Sequence, residues 1–110
     1  MQEVERRILQ KLDEPIIFEG DPSWKLTLAG SVASIICNKY NKPAFIFKKM
    51  DKESCGSVRN PKGTNSVDAM KTCDSFLMTY GGHAQASGFR VKNEYLDKFK
   101  NHLNDFFRAS

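Results

Sequence analysis

Two histidines and three cysteines among 110 residues leave this chain little with which to hold a metal or a disulfide framework. Cys37, Cys55 and Cys73 are odd in number, evenly and widely spaced, and form no Cys-x-x-Cys pair. That argues against a zinc knuckle and against a stapled secreted scaffold. Each lies in an apolar pattern and reads as a small buried hydrophobe in a reducing, cytoplasmic setting. There is no His-His pair and no Asp-x-Asp. A hydrolytic centre with two metals ~3.5–4 Å apart therefore has no ligand cluster to draw on. No apolar run approaches the ~18 residues of a membrane span, and no membrane partner is expected. The charged, amphipathic start MQEVERRILQKLDE lacks the cleavage site of a secretory signal. The loop Asn60 to Asn65 lacks the spacing of a phosphate-binding Walker loop. No repeat, linker or low-complexity segment interrupts the chain.

What remains is the composition of one small soluble domain, 40% hydrophobic and 27% charged with a net charge of +4. A chain of this length buries ~60–70% of its unfolded surface in a single core. The charge permits a polyanionic partner without demanding one.

Val4, Ile8, Leu9 and Leu12 make one helical stripe over residues 2 to 12, ended by Asp13-Glu14-Pro15. Ile16 to Glu19 is a short strand. Trp24 then follows in a loop, as a plug for the core. Apolar residues at helical spacing from Leu28 to Tyr40 predict a helix capped by Thr27 and ended by Asn41 and Pro43. Its small residues, Ala29-Gly30 and Ala33-Ser34, suit close packing on a sheet. Ala44 to Phe47 is a strand buried on both faces. Lys48 to Lys52 turns the chain and Glu53 to Arg59 returns it, a hairpin with Gly56 marking a bulge or a close approach. Asn65 or Ser66 starts a helix that presents Val67, Met70, Cys73, Phe76, Leu77 and Tyr80 to the core and stops at Gly81. Gly88 to Val91 is a strand, and Asn93 caps a last helix with an apolar stripe from Tyr95 to Phe107. Val32, Ile36, Phe45, Ile46, Phe47, Phe76, Phe99, Leu103 and Phe106 are expected in one core. The predicted fold is mixed α/β: a small mixed sheet of about four to five strands flanked by helices.

The densest stretch is Gly81-Gly82-His83-Ala84-Gln85-Ala86-Ser87-Gly88-Phe89, which holds three of the seven glycines and one of the two histidines. Paired glycines present bare N–H groups to anything close by, and the histidine beside them can donate, accept or carry charge. Read alone, Gly-Gly-His is a helix C-cap followed by a tight turn. The full stretch resembles the signature of the C-terminal, substrate-binding domain of DHH-family phosphoesterases, above all RecJ-like single-strand nucleases. Three upstream segments resemble the family in the same order: Trp24 to Ser34 (WKLTLAGSVAS), Tyr40-Asn41-Lys42-Pro43-Ala44, and Gly56-Ser57-Val58-Arg59-Asn60, similar to its Gly-Ser-x-Arg-Ser motif. Asn60 stands where serine is more common, Lys25 where histidine is frequent, and Thr27 where glycine is frequent.

The resemblance implies a nucleic-acid-binding domain covering residues 1–110, with the helix over 1–14 as a connector to a separate N-terminal DHH domain. That domain would carry the divalent metal, Mn or Mg, and the catalysis, so the isolated chain is expected to be inactive. The parent protein would be a hydrolase, an exonuclease of DNA repair. The resemblance also implies a phosphate-binding set of Gly56, Ser57, Arg59, Asn60, Gly81, Gly82 and His83, with Arg59 and His83 converging on one cleft. His83 would lie near the scissile phosphate, and this chain would supply no metal ligand. Lys48 and Lys49 are peripheral candidates. Single-stranded nucleic acid is the expected partner. The alternatives are an oligoribonuclease or cyclic-dinucleotide phosphodiesterase with an equivalent domain, and a non-catalytic replication or scaffold subunit.

Overall fold

A computed structural model describes residues 2–109. Its elements run α1 (Gln2–Leu9), β1 (Ile17–Asp21), α2 (Leu26–Tyr40), β2 (Ala44–Lys49), β3 (Glu53–Arg59), α3 (Ser66–Lys71), β4 (Leu77–His83), β5 (Ala86–Lys92) and α4 (Leu96–Ala109), with one 3-10 turn at Asn93–Tyr95. The five strands form one sheet in the order β1-β2-β3-β5-β4. β1 and β2 are parallel and every other pair is antiparallel, giving the mixed sheet expected.

Because the registers connect, residues align in rows across all five strands, and alternate rows face opposite sides. On one side, β1, β2, β3 and β5 contribute Phe18, Phe45, Phe47, Val58, Phe89 and Val91, and α3 and α4 close over them with Ala69, Met70, Phe99 and Leu103. Here the aromatic rings pack at tilted or edge-on angles, as in Phe18–Phe47 (4.9 Å) and Phe89–Phe99 (5.0 Å), the arrangement their quadrupoles favour. On the other side Ile17, Ala44 and Ile46 meet Val4 and Ile8 of α1 and Ala29, Ala33, Ile36 and Cys37 of α2. The core is therefore two layers separated by the sheet, not one. Val32, Ile36 and Ile46 belong to the second layer, because alternation along β2 sends Ile46 opposite to Phe45 and Phe47. β2 is buried on both faces as its unbroken apolar run predicts.

The row through Phe47 shows why two strands carry glycine. Gly20, Phe47, Gly56 and Phe89 are consecutive neighbours across four strands. A Cβ at Gly20 would lie 1.9 Å from the Phe47 ring, and one at Gly56 would lie 2.6 Å from both Phe47 Cβ and the Ile46 carbonyl oxygen. The close approach expected at Gly56 is thus to its own core. No bulge interrupts β3.

Several boundaries differ from the sequence reading. α1 stops at Leu9 instead of running to residue 12, leaving Leu9 and Leu12 exposed, and β1 and β5 extend to Asp21 and Lys92. α2 begins at Leu26 behind Lys25, so Thr27 lies inside the helix and does not cap it. Asn93 caps nothing with its side chain: it accepts from Ser54 Oγ (2.6 Å) and donates to the Met50 carbonyl (2.6 Å), tying the β2–β3 turn to the end of β5. The largest difference is α3, which ends at Lys71 where a helix to Tyr80 was expected. Thr72 Oγ1 turns back onto the Ala69 carbonyl (2.6 Å), turns follow, and Leu77–His83 is a strand. A register shift between Leu77 and Thr79 lets Leu77 and Tyr80, three apart, both pack on the α4 side. That spacing imitates a helix. Gly81 and Gly82 accordingly sit within a strand, with φ of 154° and 133°, and the reversal is the two-residue turn Ala84-Gln85.

Candidate nucleic-acid interface

α1 and α2 cover only part of their side of the sheet. α2 packs on β2 and β3, while β5 and β4, the last two strands, stay largely uncovered on this face: Ala86, Arg90, Thr79 and His83 are exposed. The result is an open shelf beside α2.

Register fixes what lies on it. One row reads Arg59, Ala86, His83 across β3, β5 and β4, and the next row facing the same way reads Ser57, Gly88, Gly81. Directly opposed residues share a face, so Ser57, Arg59, Gly81 and His83 come together on the shelf with Ala86 and Gly88 as its floor. The floor is small and holds no aromatic ring; a Cβ placed at Gly81 would meet nothing within 4 Å. Gly81 is required there by its backbone angle, and its space is open.

Arg59 is half-buried against α2. A Cβ at Gly30 would stand 2.8 Å from Arg59 Nη2 and 3.7 Å from Ser57 Oγ, so the glycine lets both side chains tuck under the helix. Arg59 Nη1 donates to the Val58 carbonyl (2.8 Å), and among the described residues the guanidinium has no carboxylate partner. A planar cation with unused donors, held beside a shallow floor, suits phosphate oxygens. His83 completes the row at the sheet edge with its ring in solvent.

The remaining residues of the sequence-derived set point elsewhere. Gly56 packs under Phe47 on the α4 side. Gly82 pairs with Ser87 in the same alternation, and a Cβ on it would meet the Ala86 carbonyl at 2.7 Å. Asn60 is 7% exposed. With its amide oriented to suit its neighbours, it accepts from Ser66 N–H (2.7 Å) and Thr64 Oγ1 (3.1 Å) and donates to the Arg59 carbonyl (3.2 Å). It fixes the loop behind Arg59. Lys48 Nζ is engaged by the carbonyls of Pro22 (2.7 Å) and Trp24 (3.1 Å), and with exposed Lys49 lies at the opposite end of β2 from Ala44, the neighbour of Arg59. Trp24 is half-buried against the α2 layer, with Arg7 Cζ 5.1 Å above its ring. Sequence reasoning gave Gly30 a packing role alone; Ala86 and Gly88 lie within the glycine-histidine stretch it singled out, and the strand register places them as the floor. Cys37 and Cys73 are buried, which raises both thiol pKa values above their ordinary range, whereas Cys55 is half-buried on the shelf side of β3. His102 is exposed and edge-on to Phe76 at 5.2 Å.

The family profile described as the DHHA1 domain matches residues 7–109. The chain belongs to the DHHA1 family. It is 29% identical over 99 residues to the single-stranded-DNA-specific exonuclease RecJ of Bacillus subtilis, covering 87% of this chain and 12% of that protein. To the RecJ of Thermus thermophilus it is 29% identical over 105 residues, 90% of this chain and 15% of the other. The DHHA1 domain thus spans less than a sixth of the length of these two curated relatives. A crystal structure of the Thermus thermophilus RecJ in complex with Mg2+ matches with a TM-score of 0.80 at 26% identity, over 99% of this chain and 18% of that one. The C-Ala domain of Aquifex aeolicus alanyl-tRNA synthetase shares the fold at a TM-score of 0.61 and 14% identity, over 79% of this chain and 88% of that domain.

Proposed function

We propose that this DHHA1 domain binds single-stranded DNA for a RecJ-like, metal-dependent exonuclease, gripping substrate phosphates opposite a catalytic DHH domain of the same protein. The observation that carries the reading is Arg59: a half-buried guanidinium without a carboxylate partner among the described residues, on an open shelf in line with His83. In this reading Arg59 neutralises a phosphate, Ser57 donates to it, and Gly81 and Gly88 let the nucleic-acid backbone lie close to the sheet. His83 donates to the phosphate nearest the reacting bond. The absence of aromatic rings from the floor favours recognition through phosphate and sugar over base stacking, and hence indifference to sequence.

Among the described residues no three His, Cys, Asp or Glu side chains gather as a metal site. The divalent ion, Mn2+ or Mg2+, is accordingly assigned to the DHH domain, and this chain supplies binding and alignment. An NMR titration of the domain with a short oligothymidylate tests the assignment. Backbone shifts should concentrate at Ser57, Arg59, Gly81, His83, Ala86 and Gly88. Shifts confined to the outer face of α2 or to α4 would place the ligand elsewhere.

A further inference from the structure

The shelf does not end at the glycine row. The next row facing the same way is Cys55, Arg90, Thr79. Along β5, Arg90 lies four residues from Ala86, ~14 Å at ~3.4 Å per residue. Between the two arginines the floor is Ser57, Gly88, Gly81 and Ala86, with no large side chain to block a flat-lying strand. Arg90 Nε stands 3.1 Å from Glu53 Oε2, the two side chains 47% and 34% exposed, and the contact is an ion pair without hydrogen-bond geometry, since Glu53 Oε2 has no hydrogen-bond partner among the described residues.

We propose that Arg90 is a second phosphate contact at the far end of this shelf, and that its ion pair with Glu53 restrains it until a longer strand arrives. The inference rests on the single-strand reading of the shelf. An Arg has five N–H donors, so the single Glu53 contact leaves most of the fork available to a phosphate. A phosphate must nonetheless compete with that carboxylate for the positive charge. The side chains are partly exposed, which keeps the ion pair's contribution to stability small, but Glu53 Oε2 is itself buried without a hydrogen-bond partner, so the Arg90 variants are compared both alone and with Glu53→Gln.

The test is fluorescence anisotropy with oligothymidylates from the dinucleotide upward, each over a salt series. Wild-type affinity should rise with length until the strand spans both arginines. Arg90→Ala should bind the dinucleotide as wild type does, lose the rise, and show a log–log salt slope flatter by about 0.7 on long strands. Glu53→Gln should tighten long-strand binding, and that gain should vanish in an Arg90→Ala background. Long strands, and not the dinucleotide, should slow labelling of the Cys55 thiol. If Arg90→Ala melts early, Arg90→Gln, which keeps the stem across the sheet, should give the same binding result. Wild-type affinity and slope on long strands for both Arg90 variants would overturn the inference. A Glu53→Gln gain that survives loss of Arg90 would also overturn it, because that gain would reflect net charge alone. Arg59→Ala separates the two levels: normal binding by that variant sinks the shelf itself, whereas weakened binding with unaffected Arg90 variants sinks only the second contact.

Discussion

At the scale of residues, the shelf depends on groups placed for reasons that differ from one to the next. Arg59 is held by what is missing above it, the side chain of Gly30. Asn60, next in sequence, is consumed by the loop behind. Asp21 shows how far a local environment can move a charge. It accepts from Ser23 Oγ (2.7 Å) and Ser23 N–H (2.9 Å), and it pairs with Arg7 (2.7 Å). These contacts, the Ser23 hydroxyl foremost, hold its carboxyl at about 2 against an ordinary 3.8. The folded value lies below the unfolded one, so the stabilisation is complete above about pH 4 and is lost as the pH falls through 2. Carboxyl NMR on the native domain should show Asp21 titrating near 2, and Ser23→Ala should move that midpoint upward. A native Asp21 titrating at the ordinary value would show that the Ser23 and Arg7 contacts do not persist in solution.

At the scale of elements, rows across the sheet decide more than any one strand. The Gly20-Phe47-Gly56 row predicts that Gly56→Ala forces its Cβ into the Ile46 carbonyl and Phe47, contacts of 2.6 Å that backbone cannot evade cheaply. Overpacking of this kind typically costs ~1–3 kcal/mol. Thermal melting should register that loss, while binding of single strands well below the melting point should stay at wild type, because Gly56 faces away from the shelf. Unchanged melting would contradict the row. Elements differed in how legible they were. β2 and the β2–β3 hairpin were plain, because an unbroken Ala-Phe-Ile-Phe run followed by a charged turn admits few other structures. The stretch from Thr72 to His83 was not. Cys73, Phe76, Leu77 and Tyr80 keep helical spacing, but a turn and a bulge produce that spacing, and neither is visible in single-residue preference. The candidate site shared the same fate. Arg59 and His83 were identified by motif, whereas their alignment with Ala86, and the opposite facing of Gly56 and Gly82, are consequences of register.

At the scale of the whole molecule, two helical layers cover one sheet unequally, and function is assigned to the part left bare. The radius of gyration, 12.4 Å, is close to the ~13 Å expected for a compact chain of this length, so sheet and helices form one compact body. Alone, it should hydrolyse no single-stranded DNA with Mg2+ or Mn2+, since the proposal assigns it substrate binding and leaves the metals to the DHH domain. Metal-dependent turnover that co-purifies with the chain and vanishes in His83→Ala would contradict that division of labour. The central claim, that the shelf grips phosphate through Arg59, is tested most directly by the binding of single strands to Arg59→Ala across a salt series. Each phosphate contact on a single strand contributes about 0.7 to the log–log salt slope. The account predicts weaker binding to every sequence alike, a slope flatter by about that amount, and melting equal to wild type. Wild-type affinity and slope in Arg59→Ala, or a domain that no longer folds, would contradict it.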